Sequence, residues 1–182
     1  CQNLVKAMFN DEKFSKAINM SGVNSINWAR IIAQSVYYFY AYFKVGNGQL
    51  LSFSVPTGNF GDIYAGYLAK KLGLPIDKLI VATNKNDILH RAISGGDYTQ
   101  KKVEETNTPS MDIQIASNFE RLLYDIKDSN SEVTKDVMAK ITNNTYKIDK
   151  RDLNKIKKNF VSEMLDENET VEMIKMINDE HQ

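Results

Sequence analysis

The sequence predicts an α/β fold, a parallel sheet flanked by helices with a helical appendage. Three observations carry that expectation. "LLSFSV" (50–55) alternates Leu51, Phe53 and Val55 with Ser52 and Ser54, which is the period of a half-buried strand. "KLIVAT" (78–83) is a second short apolar run of strand length. Between them lies "PTGNFGDIYAGYLAKKLGLP", a glycine turn followed by a helical stretch from Asp62 to Leu72, closed by Gly73 with Pro75 just beyond. Strand, turn, helix and strand within residues 50–83 make a βαβ unit, which requires parallel pairing.

The flanking elements follow in order. Residues 2–18 carry Leu4, Val5, Ala7, Met8, Phe9 and Phe14 at irregular helical spacing. "NMSGVNSIN" is a turn, with Asn24 or Ser25 placed to cap a helix over 26–43. That helix is apolar on most faces, so it is expected to be buried, with its aromatics at 37–43 forming core. "KVGNGQ" ends it by glycine C-cap chemistry. After residue 116 the composition shifts. "NFERLLYDI", "EVTKDVMAKI", "LNKIKKNFVSEML" and "ETVEMIKMI" read as amphipathic helices with no evident strand. The division expected is therefore an α/β portion at 1–115 and a helical appendage or insertion at 116–182.

Bulk composition narrows the function. Basic and acidic residues both number 23, so no global positive field favours nucleic acid, and an anion site must be built locally. A single cysteine gives no internal disulfide and fits a reducing cytoplasm. The greasiest stretch, "VYYFYAYF", is far shorter than the roughly 20 residues of a membrane span. No signal peptide and no metal-ligand spacing are evident. His90 is expected on a helix surface without a role, and Cys1 has no base near it in sequence.

The glycine turn is the chemical feature. Backbone N–H groups at a helix start lack intrahelical partners, and the helix dipole favours an anion there. Thr57, Gly58, Asn59, Phe60 and Gly61 occupy that place. A plain strand-to-helix turn, with glycine serving only a positive φ, fits the spacing equally well. Walker A is excluded because no lysine follows Gly61 before Lys70, and G-x-G-x-x-G is broken at Phe60 and Ile63. Asn24, Ser25, Asn27 and Arg30 either face a site or serve as caps and surface pairs, with Arg30 suited to a carboxylate or phosphate. Asn84, Asn86 and Asp87 follow a strand, where they would bind a ligand or cap a helix.

"SVPTGNFGDIYAGYLAKKLGLP" followed by "VATNKND" closely resembles the threonine synthases, pyridoxal-phosphate enzymes of fold type II. "NSINWARIIAQSVYYF", the opening "CQNLVK" and "SMDIQIASNFERLLYD" continue the resemblance in order. It covers residues 1–125 strongly. The resemblance implies conversion of O-phospho-L-homoserine and water to L-threonine and phosphate. It implies pyridoxal 5'-phosphate as cofactor, its phosphate held by Thr57, Gly58, Asn59, Phe60 and Gly61, with Thr57 as a hydroxyl donor. Asn24, Ser25, Asn27 and Arg30 become the expected substrate-binding group. The family's Schiff-base lysine has a "K-D-x-A" context that does not occur here, and the "DPHTA" and "TAHPAKF" passages are also absent. The expectation is an internal portion of a cytoplasmic, monomeric enzyme, inactive by itself and with no catalytic lysine of its own. A related phospholyase and a non-catalytic module of the same fold are the alternatives.

Overall fold

The computed structural model describes residues 2–20 and 26–180. Helices α1 (Gln2–Asn10) and α2 (Glu12–Ala17) share what the spacing presents as one irregular helix. Asp11 divides them, because its carboxylate accepts the N–H groups of Lys13 and Phe14 and so starts a new helix. Helix α3 (Trp28–Val45) follows, capped by the Asn27 side chain through the N–H of Ala29 at 3.0 Å. Asn24 and Ser25, expected as the cap, lie outside the described residues. Gly46 terminates the helix, and the positive φ values fall on Asn47 and Gly48.

Strand β1 (Leu51–Pro56), helix α4 (Gly61–Lys71) and strand β2 (Ile76–Thr83) form the expected βαβ unit, with β1 and β2 parallel. Gly73, at φ 101°, turns the chain out of α4. Then come α5 (Ile88–Gly95), a single 3₁₀ turn at Pro109–Met111, α6 (Phe119–Ile126), α7 (Ser131–Thr142) and α8 (Lys150–Lys157). Strand β3 (Phe160–Met164) pairs in parallel with β2, and α9 (Glu167–Glu180) ends the described chain. The sheet order is β1-β2-β3, so β2 is central.

Two expectations need correction. "LNKIKKNFVSEML" is a helix followed by a strand, not one helix. Within it, Phe160 and Ser162 face inward while Val161 is 41% exposed. The second correction concerns α3. Only Ile31, Ser35, Tyr38 and Tyr42 are buried, a single stripe at helical spacing. Tyr37, Tyr40 and Phe43 are 64%, 66% and 77% exposed, because only one side of α3 meets α4 and β1.

The core lies where α4, α5 and α6 close on the sheet. Ile63, Leu79, Val81, Phe119, Leu123 and Phe160 are all essentially sealed from solvent. Burying such side chains contributes roughly 1.5–3 kcal/mol each. No helix among the described residues is long and apolar enough to cross a membrane.

Candidate phosphate-binding site

Strand β1 delivers the glycine turn to the carboxyl end of the sheet, where the N–H of Thr57 donates to the Ala82 carbonyl at 2.8 Å. Beyond that bond the ladder stops. Among the described residues, the N–H groups of residues 58–63 meet no acceptor before the first helical bond, from Tyr64 to the Phe60 carbonyl. Unpaired N–H groups in series at a helix start are the donor set an anion requires. They line a cavity of about 260 Å³ whose boundary is Pro56 to Ile63 together with Ser110 and Met111.

The individual side chains take unexpected parts. The Thr57 hydroxyl is buried and donates to the Val55 carbonyl at 2.6 Å, so toward the cavity its oxygen is an acceptor in this conformation. The positive φ of the turn falls on Phe60 (64°), while neither Gly58 nor Gly61 has one. A non-glycine residue in this conformation costs about 1–3 kcal/mol unless its surroundings hold it there. Here they do. The Phe60 ring stands edge-on to Phe119 with centroids 5.2 Å apart and lies 5.5 Å from Phe160. The Asn59 carbonyl accepts both the N–H and the side-chain amide of Asn118 at 3.1 Å. Phe60 thus presents backbone to the cavity and sends its ring into the core.

Gly58 has a steric reason. A Cβ built on it would lie 2.6 Å from the carbonyl oxygen of Ser110, so the glycine allows the 104–112 segment to close against the turn. Asp62, on the first turn of α4, also borders the cavity, and loss of surrounding water holds its carboxyl above the ordinary aspartate range. The Tyr38 hydroxyl donates to the backbone carbonyl of Asp62 at 3.0 Å.

The other expected site residues are dispersed. Asn27 caps α3, and Arg30 lies exposed on the next turn; neither lines this cavity. The chain just before α3 borders a second cavity of about 500 Å³, shared with Tyr64, Arg121 and Asp125. Arg121 donates to the Ile26 carbonyl at 2.7 Å and stacks over Trp28 at 5.1 Å. Asn84 and Asn86 cap no helix. They are buried and bonded to Asp112, Thr106 and the Glu104 backbone. Asp87 stands at the start of α5 without a capping bond and accepts from Arg91 and Lys101. His90 is half-buried, with Nδ1 enclosed and unpartnered among the described residues. No group of His, Cys, Asp or Glu that could hold a metal occurs among them.

Asp112, Thr106 and Ser110 were missing from the sequence expectations. Their contribution is made by folding a strandless segment against the β2 terminus, and no periodicity marks it. The polar density of "TNTPSMD" and the family-like "SMDIQIASNFERLLYD" that begins at Ser110 are the visible signals, and neither assigns these residues a role.

No protein-family model matches the chain. It is 47% identical to the threonine synthase of Saccharomyces cerevisiae over 193 residues, which is 97% of this chain and 37% of that protein. It is 53% identical to the threonine synthase of Pseudomonas aeruginosa over 139 residues, 76% of this chain and 30% of that one. Human threonine synthase-like 2 is 40% identical over 141 residues, 74% of this chain and 29% of that protein. The crystal structure of pyridoxal-phosphate-bound threonine synthase from Brucella melitensis superposes with a TM-score of 0.86 at 49% identity, over 93% of this chain and 37% of that one. The yeast enzyme's structure superposes at 0.85 and 46% identity, over 97% of this chain and 37% of that one. The chain thus spans little more than a third of the yeast and Brucella enzymes. In sequence and in fold, over that span, it belongs to the threonine synthase family.

Proposed function

We propose that the turn at 57–61 holds the phosphate of pyridoxal phosphate through its N–H groups from Gly58 onward, and that the protein containing this chain is a threonine synthase acting on O-phospho-L-homoserine. The observation that carries this reading is the run of unpaired N–H groups at 58–63 on a cavity wide enough for a phosphate. The residues fit the group. Gly58 keeps the backbone bare, α4 adds its dipole, and the core-anchored Phe60 ring keeps the donors fixed before the anion arrives. When bound, the cofactor supplies the electron sink for proton removal beside the substrate amino group. The chain's own residues bind and orient it. No lysine of this chain is assigned to attach it, and Asn24, Ser25, Asn27 and Arg30 remain the proposed contacts for substrate.

Isotope-labelled protein titrated with inorganic phosphate tests the site. The amide signals of residues 58–63 should move with a saturable profile, and Gly58→Val should abolish the response by pushing Ser110 away. Unaltered affinity in that variant would remove the loop assignment. The 182-residue chain by itself should show no visible band of lysine-attached cofactor and should release no phosphate from phosphohomoserine above background. The intact protein should do both. The alternative is a phospholyase of a related amino alcohol phosphate. Threonine formation by the intact protein decides between the two.

A further inference from the structure

One wall of the phosphate cavity is the glycine turn. The facing wall, Ser110 and Met111, comes from a segment whose only regular element is one 3₁₀ turn. Something other than secondary structure must hold that wall. The Glu167 carboxylate accepts one bond, from the Asn107 N–H, but most of the hydrogen bonds converge on the carboxylate of Asp112. Asp112 Oδ1 accepts from Asn84 Nδ2 at 2.8 Å, Asn86 Nδ2 at 3.0 Å and Thr106 Oγ1 at 2.7 Å. Its Oδ2 accepts the N–H of Thr106 at 2.9 Å. Asn86 extends the clasp, accepting the Glu104 N–H at 3.0 Å and donating to the Glu104 carbonyl at 2.9 Å. Asn84 and Asn86 directly follow β2 and are 6% and 3% exposed. The clasp therefore joins the carboxyl end of the central strand to residues 104–112. Ser110, two residues before the carboxylate, is thereby set against Gly58.

We propose that Asp112 is a positioning residue for the phosphate loop: by clasping residues 104–112 to the β2 terminus, it sets the separation of Ser110 from Gly58 and so the width of the phosphate cavity. This rests on reading residues 57–61 as the phosphate site. Asp112 does not itself line that cavity and acts through Ser110 and Met111, the two residues preceding it.

Asp112→Asn is the informative variant, because it keeps shape and exchanges an acceptor for a donor. In either orientation the new amide faces donors, either Thr106 N–H or the pair of asparagine amides. Phosphate affinity is read in the intact protein from the amide signals of residues 58–63, alongside the melting temperature. The variant should bind inorganic phosphate about tenfold more weakly, the scale typical of lost supporting hydrogen bonds. Thr106→Val, which keeps the backbone donor, should weaken it by a smaller factor. Ile141→Val, a buried change on α7, should lower the melting temperature without altering affinity. Three results would overturn the assignment. Affinity within twofold of wild type would show that the clasp does not reach the site. Tighter binding would mean the carboxylate acts by charge repulsion. A loss matched by Ile141→Val at equal loss of stability would make the role merely structural. If the wild-type amides ignore phosphate altogether, the site reading itself fails and this proposal with it.

Discussion

Helices α3 and α4 pack side by side, and composition assigns them the wrong parts. α3 carries "VYYFYAYF", yet only four of its 18 residues are buried. α4 carries "GDIYAGYLAKK", and six of its 11 are buried. The difference lies in the neighbours. α4 is inserted between α3, the sheet and α6, and its small residues let those elements approach. A Cβ on Gly66 would lie 2.5 Å from the Tyr38 ring and 2.9 Å from Leu79. Tyr38 completes the contact with its hydroxyl on the Asp62 carbonyl. Burial is thus a property of the pair, and the smaller partner makes it possible.

Gly66→Val should break the contact most severely. The added atoms collide with two buried side chains, and β-branching adds to the helix cost, so a loss of about 3 kcal/mol in urea unfolding is expected. Gly66→Ala sets a helix-propensity gain of about 1 kcal/mol against the same collision. It should still lower the midpoint, and a raised midpoint would show that Tyr38 yields easily.

Tyr38→Phe should cost about 1 kcal/mol at neutral pH by removing one hydrogen bond. Its pH dependence sharpens the comparison. Burial, and then the charge of Asp62, push the Tyr38 phenol well above its ordinary value. A raised folded-state value means the stabilisation is complete below the unfolded value of about 10 and falls as pH rises beyond it. The wild-type advantage over Tyr38→Phe should therefore shrink above about pH 10. A constant gap across that range would indicate that the phenol ionises freely in the folded protein.

Asp112 tests the other wall at the acid end. Burial pushes its carboxyl up, but the bonds from Thr106, Asn84 and Asn86 outweigh this and hold it below the ordinary range. The stability it contributes is present above about pH 4 and lost as pH falls through the depressed value. Acid unfolding of Asp112→Asn should lack that component. The smallest effect belongs to the outer face of α3. Tyr40→Ser and Phe43→Ser should change the stability of this chain by no more than about 0.5 kcal/mol. A larger loss would show that the face is covered.

What the sequence made legible follows the same division. The βαβ unit could be read because alternation, glycine turn and C-cap lie within one short stretch. Strand β3 could not. Leu153, Ile156 and Phe160 fall at helical spacing, and the strand's second inward position is Ser162 while Val161 faces out. The turn's donors were readable from its place before a helix. That the strained residue would be Phe60 and not a glycine was not, because its support comes from Phe119 and Phe160, far along the chain. Asn84 and Asn86 had a visible location but an invisible purpose, since Asp112 lies 28 and 26 positions away.

The contact between Phe60 and Phe160 also bears on when the site can exist during synthesis. The two rings are 100 positions apart in sequence, and β3 must join the sheet before they meet. A ribosome adding about 5–20 residues per second makes the loop at least several seconds before its distant anchor. Until then Phe60 lacks one of the two rings that hold its left-handed backbone, and β2 lacks its second neighbour. The nascent loop should bind phosphate weakly, or not at all, until Phe160 has emerged. Anion affinity at 58–63 would then report completion of the sheet, and a ribosome-stalled series with residue 164 first inside and then outside the exit tunnel would show it switching on between the two.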